Sequence, residues 1–194
     1  MPAGDVQHSL AGVWRLMLGR ADGLKLLDLT ADGFWNSFRA ILLALPPLAL
    51  GWVSYAGELA ATGYGERPAL VFRLFLAEMG AWLLPLVILA LLARHIGLAQ
   101  RFVPYVVASN WASVIFAWAM LPAVLMRLMM PEAGLAEMVS IFVFFLSLFF
   151  SWRMTVVVID RGAAIGTAFF FAMLMGAITL LIWLQEMLGL VPDY

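Results

Sequence analysis

Five apolar stretches, each long enough to cross a lipid bilayer and separated by short polar turns, leave this chain few possible folds. A span needs ~20 mostly apolar residues because the hydrocarbon layer is ~30 Å thick. The stretches run over 34–56, 68–93, 101–127, 135–159 and 162–188, and the links between them are 57–67, 94–100, 128–134 and 160–161. In lipid every backbone polar group must be satisfied within its own segment or in a closed barrel, and runs of this length are helical. The expected fold is all-α, a polytopic transmembrane bundle of about five helices. Short links make successive helices antiparallel neighbours. Three regions follow: an N-terminal segment 1–33, a transmembrane domain 34–188 and a short exported tail 189–194.

Composition agrees and closes off several functions. Of the 194 residues 65% are hydrophobic and 12% charged, with a mean hydropathy of +1.01. A soluble domain carries roughly 25% charged residues. The formal net charge of -1 gives no basic field for nucleic acid. The absence of cysteine removes disulfides, thiolate metal sites and cysteine nucleophiles. His8 and His95 are far apart and lack metal-ligand spacing, so no metal is expected. No G-x-S-x-G, H-E-x-x-H or phosphate-loop lysine is present, and neither catalysis nor a cofactor is expected. No basic-then-apolar leader opens the chain, so no cleaved signal peptide is expected.

Basic residues set the expected orientation. With the N-terminus in the cytoplasm, Arg15, Arg20, Lys25, Arg39, Arg94, Arg101, Arg153 and Arg161 lie inside, against Arg67, Arg73 and Arg127 outside. The stretch 185–194 has no basic residue, as suits an exported tail. Short loops point to a bacterial inner membrane. Before the first span, Val6, Leu10, Val13, Trp14 and Met17 share one helical face. That face suits an amphipathic helix lying in the membrane interface, with Trp14, Arg15 and Arg20 at the lipid headgroups. A cytosolic helix capping the bundle is the alternative. Thr30 or Asp32 is expected to cap the first span.

Within the spans one acidic residue stands out. Glu78 lies about ten residues into the second stretch, at ~1.5 Å per residue some ~15 Å deep. A carboxylate there is costly unless it is protonated, paired or facing water. It is a candidate ion or proton site, with Asn110 at matching depth or Arg73 as its partner, or else a packing carboxyl bonded to another helix. Arg39 and Arg153 sit near the inner ends of their helices and are expected to snorkel to headgroups. Pro46 and Pro47 are expected to interrupt the first span near its middle, and Pro85 and Pro122 the second and third, as kinks re-satisfied by neighbouring helices or else as breaks that expose carbonyls to a substrate or ion.

The fifth stretch carries a packing pattern. Gly162 and Gly166 form a G-x-x-x-G pair, and Ala164, Ala168, Ala172 and Gly176 repeat at every fourth position or its multiple. Small residues let backbones approach closely in lipid. The helix on that face could belong to the same chain, a second copy or a partner. Trp52, Tyr55, Tyr64 and Trp183 suit the outer interface, and Trp82, Trp111 and Trp118 suit the interior. Met126, Met129, Met130, Met173 and Met175 read as adaptable packing.

The layout over 34–188, five closely spaced helices with small loops after a cytosolic segment and before an exported C-terminus, resembles the Yip1-like membrane proteins. That resemblance implies an adaptor or membrane-organising protein acting beside other membrane proteins. The residues themselves support the same first expectation, a non-enzymatic membrane protein or complex subunit working through helix contacts with lipid, a second copy or another membrane protein. A small, oligomeric transporter or permease-like protein using Glu78 is the alternative.

Overall fold

The computed structural model describes residues 3–130 and 134–191. Every described element is helical, and no strand occurs among the described residues. Helix α1 spans Ala3–Met17, and a short 3-10 helix spans Ala21–Leu26. Then follow α2 (Ala31–Ser37), α3 (Ala40–Ala61), α4 (Arg67–Leu92), α5 (Ala99–Met129), α6 (Leu135–Ile159) and α7 (Ala163–Met187). Five of these are long and apolar enough to cross a membrane, counting α2 and α3 as one span over Ala31–Ala61. The expected tail 189–194 lies partly outside the described residues.

The five spans close into a ring. α3 packs on both α4 and α5, α5 on α6, α6 on α7, and α7 returns to α4. Antiparallel alternation gathers the C-terminal ends of α3, α5 and α7 at one end. The other end, formed by the start of α5 and the end of α6, is covered by α1, which packs on both. The apolar face read from the sequence is turned onto the bundle. Val13 and Met17 of that face are fully buried, with Leu16 beside them, while Val6 and Leu10 pack at the edge of the same core. Trp14 remains exposed and leans on Phe150 at 5.6 Å between ring centroids.

The chain turns beneath α1 through a glycine crossing. A Cβ on Gly12 would sit 2.9 Å from the Gly23 carbonyl oxygen and 3.1 Å from Leu26 Cβ, so α1 and the 3-10 helix touch backbone to backbone. Thr30 caps α2 by accepting from the Gly33 amide at 3.1 Å. Its hydroxyl and its amide both donate to Asp28, at 2.6 and 3.0 Å. These bonds from Thr30 hold the Asp28 carboxyl below the ordinary aspartate range.

The first span is interrupted, though not at the prolines. α3 runs unbroken through Pro46 and Pro47, and the irregular residues are Phe38 and Arg39 between α2 and α3. Pro47 cannot donate to the Leu43 carbonyl one turn earlier. Trp118 of α5 supplies the missing donor at 2.9 Å. A neighbouring helix thus satisfies the released group, which is how lipid-embedded helices tolerate proline. It also draws Trp118 to the rim of the α3–α5 contact, where it is half exposed instead of packed inside as its depth suggested. Trp111 is buried as expected.

Candidate functional site in the bundle interior

Two hollows open between the helices of the ring, stacked along its axis. The first, about 270 Å³, lies toward α1 between α4, α5, α6 and α7. Its polar groups are hydroxyls, from Tyr105, Ser109, Ser113, Ser151 and Thr155. The second, about 550 Å³, lies toward the opposite end between α3, α4, α5 and α7. Ala81, Trp82 and Ala177 belong to the walls of both. Along α5 the two linings run from Tyr105 to Val124, roughly 28 Å at ~1.5 Å per residue. That length approaches the ~30 Å of a hydrocarbon layer.

Glu78 faces the larger hollow. It projects from α4 toward α3, where the Trp52 indole N–H donates to one carboxylate oxygen. The pair ties α3 to α4 in the middle of both helices, and Trp52 is otherwise buried against Phe75 at 5.5 Å, edge to face. Tyr55 and Gln185 add a hydroxyl and an amide toward the far end of the same hollow. No Lys, Arg or His lines it among the described residues.

Asn110 does not join Glu78. It is fully buried on α5, accepts from the Trp82 indole at 3.2 Å and donates to the Ser37 hydroxyl at 3.0 Å. Ser37 in turn donates to the Phe34 carbonyl at 2.7 Å. The chain Trp82, Asn110, Ser37 links α4, α5 and α2, and no buried side-chain polar atom among the described residues lacks a partner. Such fully satisfied networks fix geometry in a core. Here the network holds the Trp82 ring at the junction of the two hollows.

The basic residues expected at headgroups have protein partners in three of four cases. Arg15 and Arg20 each reach Asp22 at 3.0 Å. Partial burial pushes the Asp22 carboxyl up, but hydrogen bonds and charge from Arg20 and Arg15 outweigh it and hold the group below the ordinary range. Arg153 donates to the Leu18 carbonyl at 2.7 Å, just past the end of α1, and lies 5.8 Å from the Phe149 ring centre. A cation on the last carbonyls of a helix is stabilising. Arg39 stays exposed. Arg73, the other suggested partner of Glu78, lies instead near Gly189 past the end of α7.

The small residues of α7 divide. Gly166 is buried on α6, where an added Cβ would lie 2.7 Å from Val156 Cα. Gly162 is the helix N-cap with φ of 83° and makes no close approach. Ala164, Ala168 and Ala172 are exposed, and Gly176 has open space around it. The face that packs inside is formed by Gly166, Phe169 and Phe170. Ala172 and Gly176 instead line an apolar groove with Pro85 and Ile88 of α4.

No family model, no curated protein and no solved structure matches this chain. The site's meaning therefore rests on its own chemistry.

Proposed function

We propose that this integral membrane protein is a small permease or carrier that binds its solute at Glu78 in the bundle interior. The observation that carries this reading is the pair of stacked hollows, together about as long as a bilayer is thick, with an acidic side chain in one and a tethered tryptophan at their junction. Ligand sites between the helices of a bundle typically have volumes of about 300–1,000 Å³ and a few convergent polar groups. Carboxyl groups inside spans commonly mark ion or substrate pathways. The test is flux into liposomes holding the purified protein, with proton entry followed by an entrapped pH-sensitive dye. Wild type is expected to pass protons or exchange them for cations, and Glu78→Gln to lower the rate at least about tenfold. Wild-type liposomes no leakier than empty ones overturn the reading.

The exposed small residues of α7 favour a second reading, in which the chain is an adaptor or complex subunit of the Yip1-like kind. Ala164, Ala168 and Ala172 are exposed, and Ala172 borders an apolar groove with Gly176 and α4, where small residues would let another helix approach closely.

We also infer that the α1 end faces the cytoplasm of a cell whose inner membrane holds the protein. Eight of the eleven basic residues belong to that end by chain order. Arg101 pairs with Asp160 there at 2.5 Å, and Arg161 donates to the Gly97 carbonyl at 2.8 Å. The chain contains no cysteine, so single replacements report sidedness cleanly. In intact cells a membrane-impermeant maleimide is expected to label Ala61→Cys, and to reach His95→Cys only after lysis. The reverse pattern inverts the topology.

A further inference from the structure

The lining of the larger hollow narrows the class of solute. Its one carboxylate is unopposed by any basic side chain among the described residues that line it. An anion entering it finds no cationic donor, and meets a like charge whenever Glu78 is ionised. A bare metal ion fares little better. Hard cations want six or more oxygen ligands, and this hollow offers only the Glu78 carboxylate, the Tyr55 hydroxyl and the Gln185 amide.

Two indoles flank the carboxylate. Trp52 donates to Glu78, and Trp82, one helical turn along α4 from Glu78, donates to Asn110. Both indole N–H groups are therefore engaged within the protein, and what the two side chains can offer a solute is ring carbon along the wall, for Trp52 the part that Phe75 does not cover. A cation held against indole faces is attracted by the ring quadrupole, more strongly as water is excluded, and aromatic cages recognise quaternary ammonium groups in this way. The remaining wall is apolar, with Met120, Ile178 and Leu181 prominent in it.

We propose that the Glu78 hollow binds a lipophilic organic cation, its charged centre between Glu78 and the Trp52 and Trp82 rings and its apolar body along Met120, Ile178 and Leu181. The proposal rests on the solute-binding reading above and adds the sign and shape of the solute. At about 550 Å³ the hollow holds an ion with several aryl or alkyl arms. Tyr55 and Gln185, at its far end, receive any polar group distant from the charge.

The test is equilibrium binding to the full chain in lipid nanodiscs, with probes matched in shape and differing in charge. Tetraphenylphosphonium and tetraphenylborate form one pair, and phenyltrimethylammonium and its neutral isostere tert-butylbenzene the other. The cation of each pair is expected to bind saturably and at least about tenfold more tightly than its counterpart. Glu78→Gln should remove that preference. Trp52→Phe, which keeps a ring, should retain more binding than Trp52→Leu. The charge comparison on wild type needs no variant, so a variant that fails to fold does not blunt it. Equal affinity for tert-butylbenzene and phenyltrimethylammonium overturns the cation and leaves a solute site standing. Tighter binding of tetraphenylborate than of tetraphenylphosphonium overturns it likewise. Binding of none of the four overturns the proposal, and if the liposomes are also no leakier than empty ones the carrier reading falls with it.

Discussion

Leucine at position 166 should force α6 and α7 apart. The backbone of α7 lies so close to α6 at this point that even the first carbon of a side chain would come within 2.7 Å of Val156 Cα. That neighbour is main chain and cannot swing aside, so one helix must move as a body. Overpacking a tight core costs typically 1–3 kcal/mol and occasionally more. For a chain of this size that corresponds to a fall of about 2–12 °C in thermal midpoint. The contrast lies three turns along the same helix. Gly176 has nothing within 4 Å of an added Cβ, and Gly176→Leu should leave the midpoint nearly unchanged. Equal stability of the two variants would show that α6 and α7 do not cross this closely. Ala168→Leu combined with Ala172→Leu should also be stable, and it separates the two functional readings. If it alters the oligomeric mass in nanodiscs, the exposed face holds another helix. An unchanged mass with unchanged partners removes the support for an adaptor.

That division of α7 marks where sequence reading stopped. The repeat of small residues was legible, as were the five spans, because both follow from composition along the chain. The direction in which each residue points around its helix was not. A helix that is apolar on every side carries no amphipathic stripe to say which face meets protein and which meets lipid. Ala168 and Gly166 look equivalent in the sequence, yet only Gly166 is buried. Trp118 shows the same limit. Its depth along α5 was readable, but its turn toward the Leu43 carbonyl depends on Pro47 in a different helix. α1, by contrast, does carry a stripe, and four of its five residues face the bundle, while Trp14 is exposed and Leu16, outside the stripe, is fully buried. What the stripe could not say was whether Val13 and Met17 meet lipid or protein, since both reward the same apolar surface.

The site was half legible for a related reason. Glu78 stood out because an acidic residue in a span is conspicuous whatever surrounds it. The apolar run ends near residue 56 and so places Trp52 at the membrane interface, whereas α3 continues to Ala61 and leaves Trp52 nine residues inside the helix. A partner near the middle of α3 thus looks like a rim residue in the sequence. Depth alone pairs Asn110 with Glu78. The closer match was hidden because Ser37 belongs to α2, a separate short helix whose break from α3 at Phe38 and Arg39 no proline announces.

The strongest dependence of the interior on one side chain should therefore appear at Asn110, not at the prolines. Leucine keeps the branched heavy-atom skeleton of asparagine with bulkier methyl ends, so Asn110→Leu leaves no large cavity. It removes the acceptor of the Trp82 indole and the donor to the Ser37 hydroxyl together. Leaving a buried donor unsatisfied costs about 1–3 kcal/mol, and interhelical hydrogen bonds in membranes average nearer ~0.6 kcal/mol because the unfolded chain also finds partners. Position 110 is fully buried and serves two helices besides its own, so the upper part of that range, about 2–3 kcal/mol, is expected. A double-mutant cycle isolates the bond to Trp82. In a Trp82→Phe background the indole N–H is already gone, and Asn110→Leu should then cost visibly less. The released Trp82 ring should also show in function, since it stands where the two hollows meet. If Asn110→Leu destabilises the chain equally with and without Trp82, the network is two independent contacts. If flux changes in step with the Trp82 coupling, the bond that steadies the bundle is also the one that sets the width of its waist.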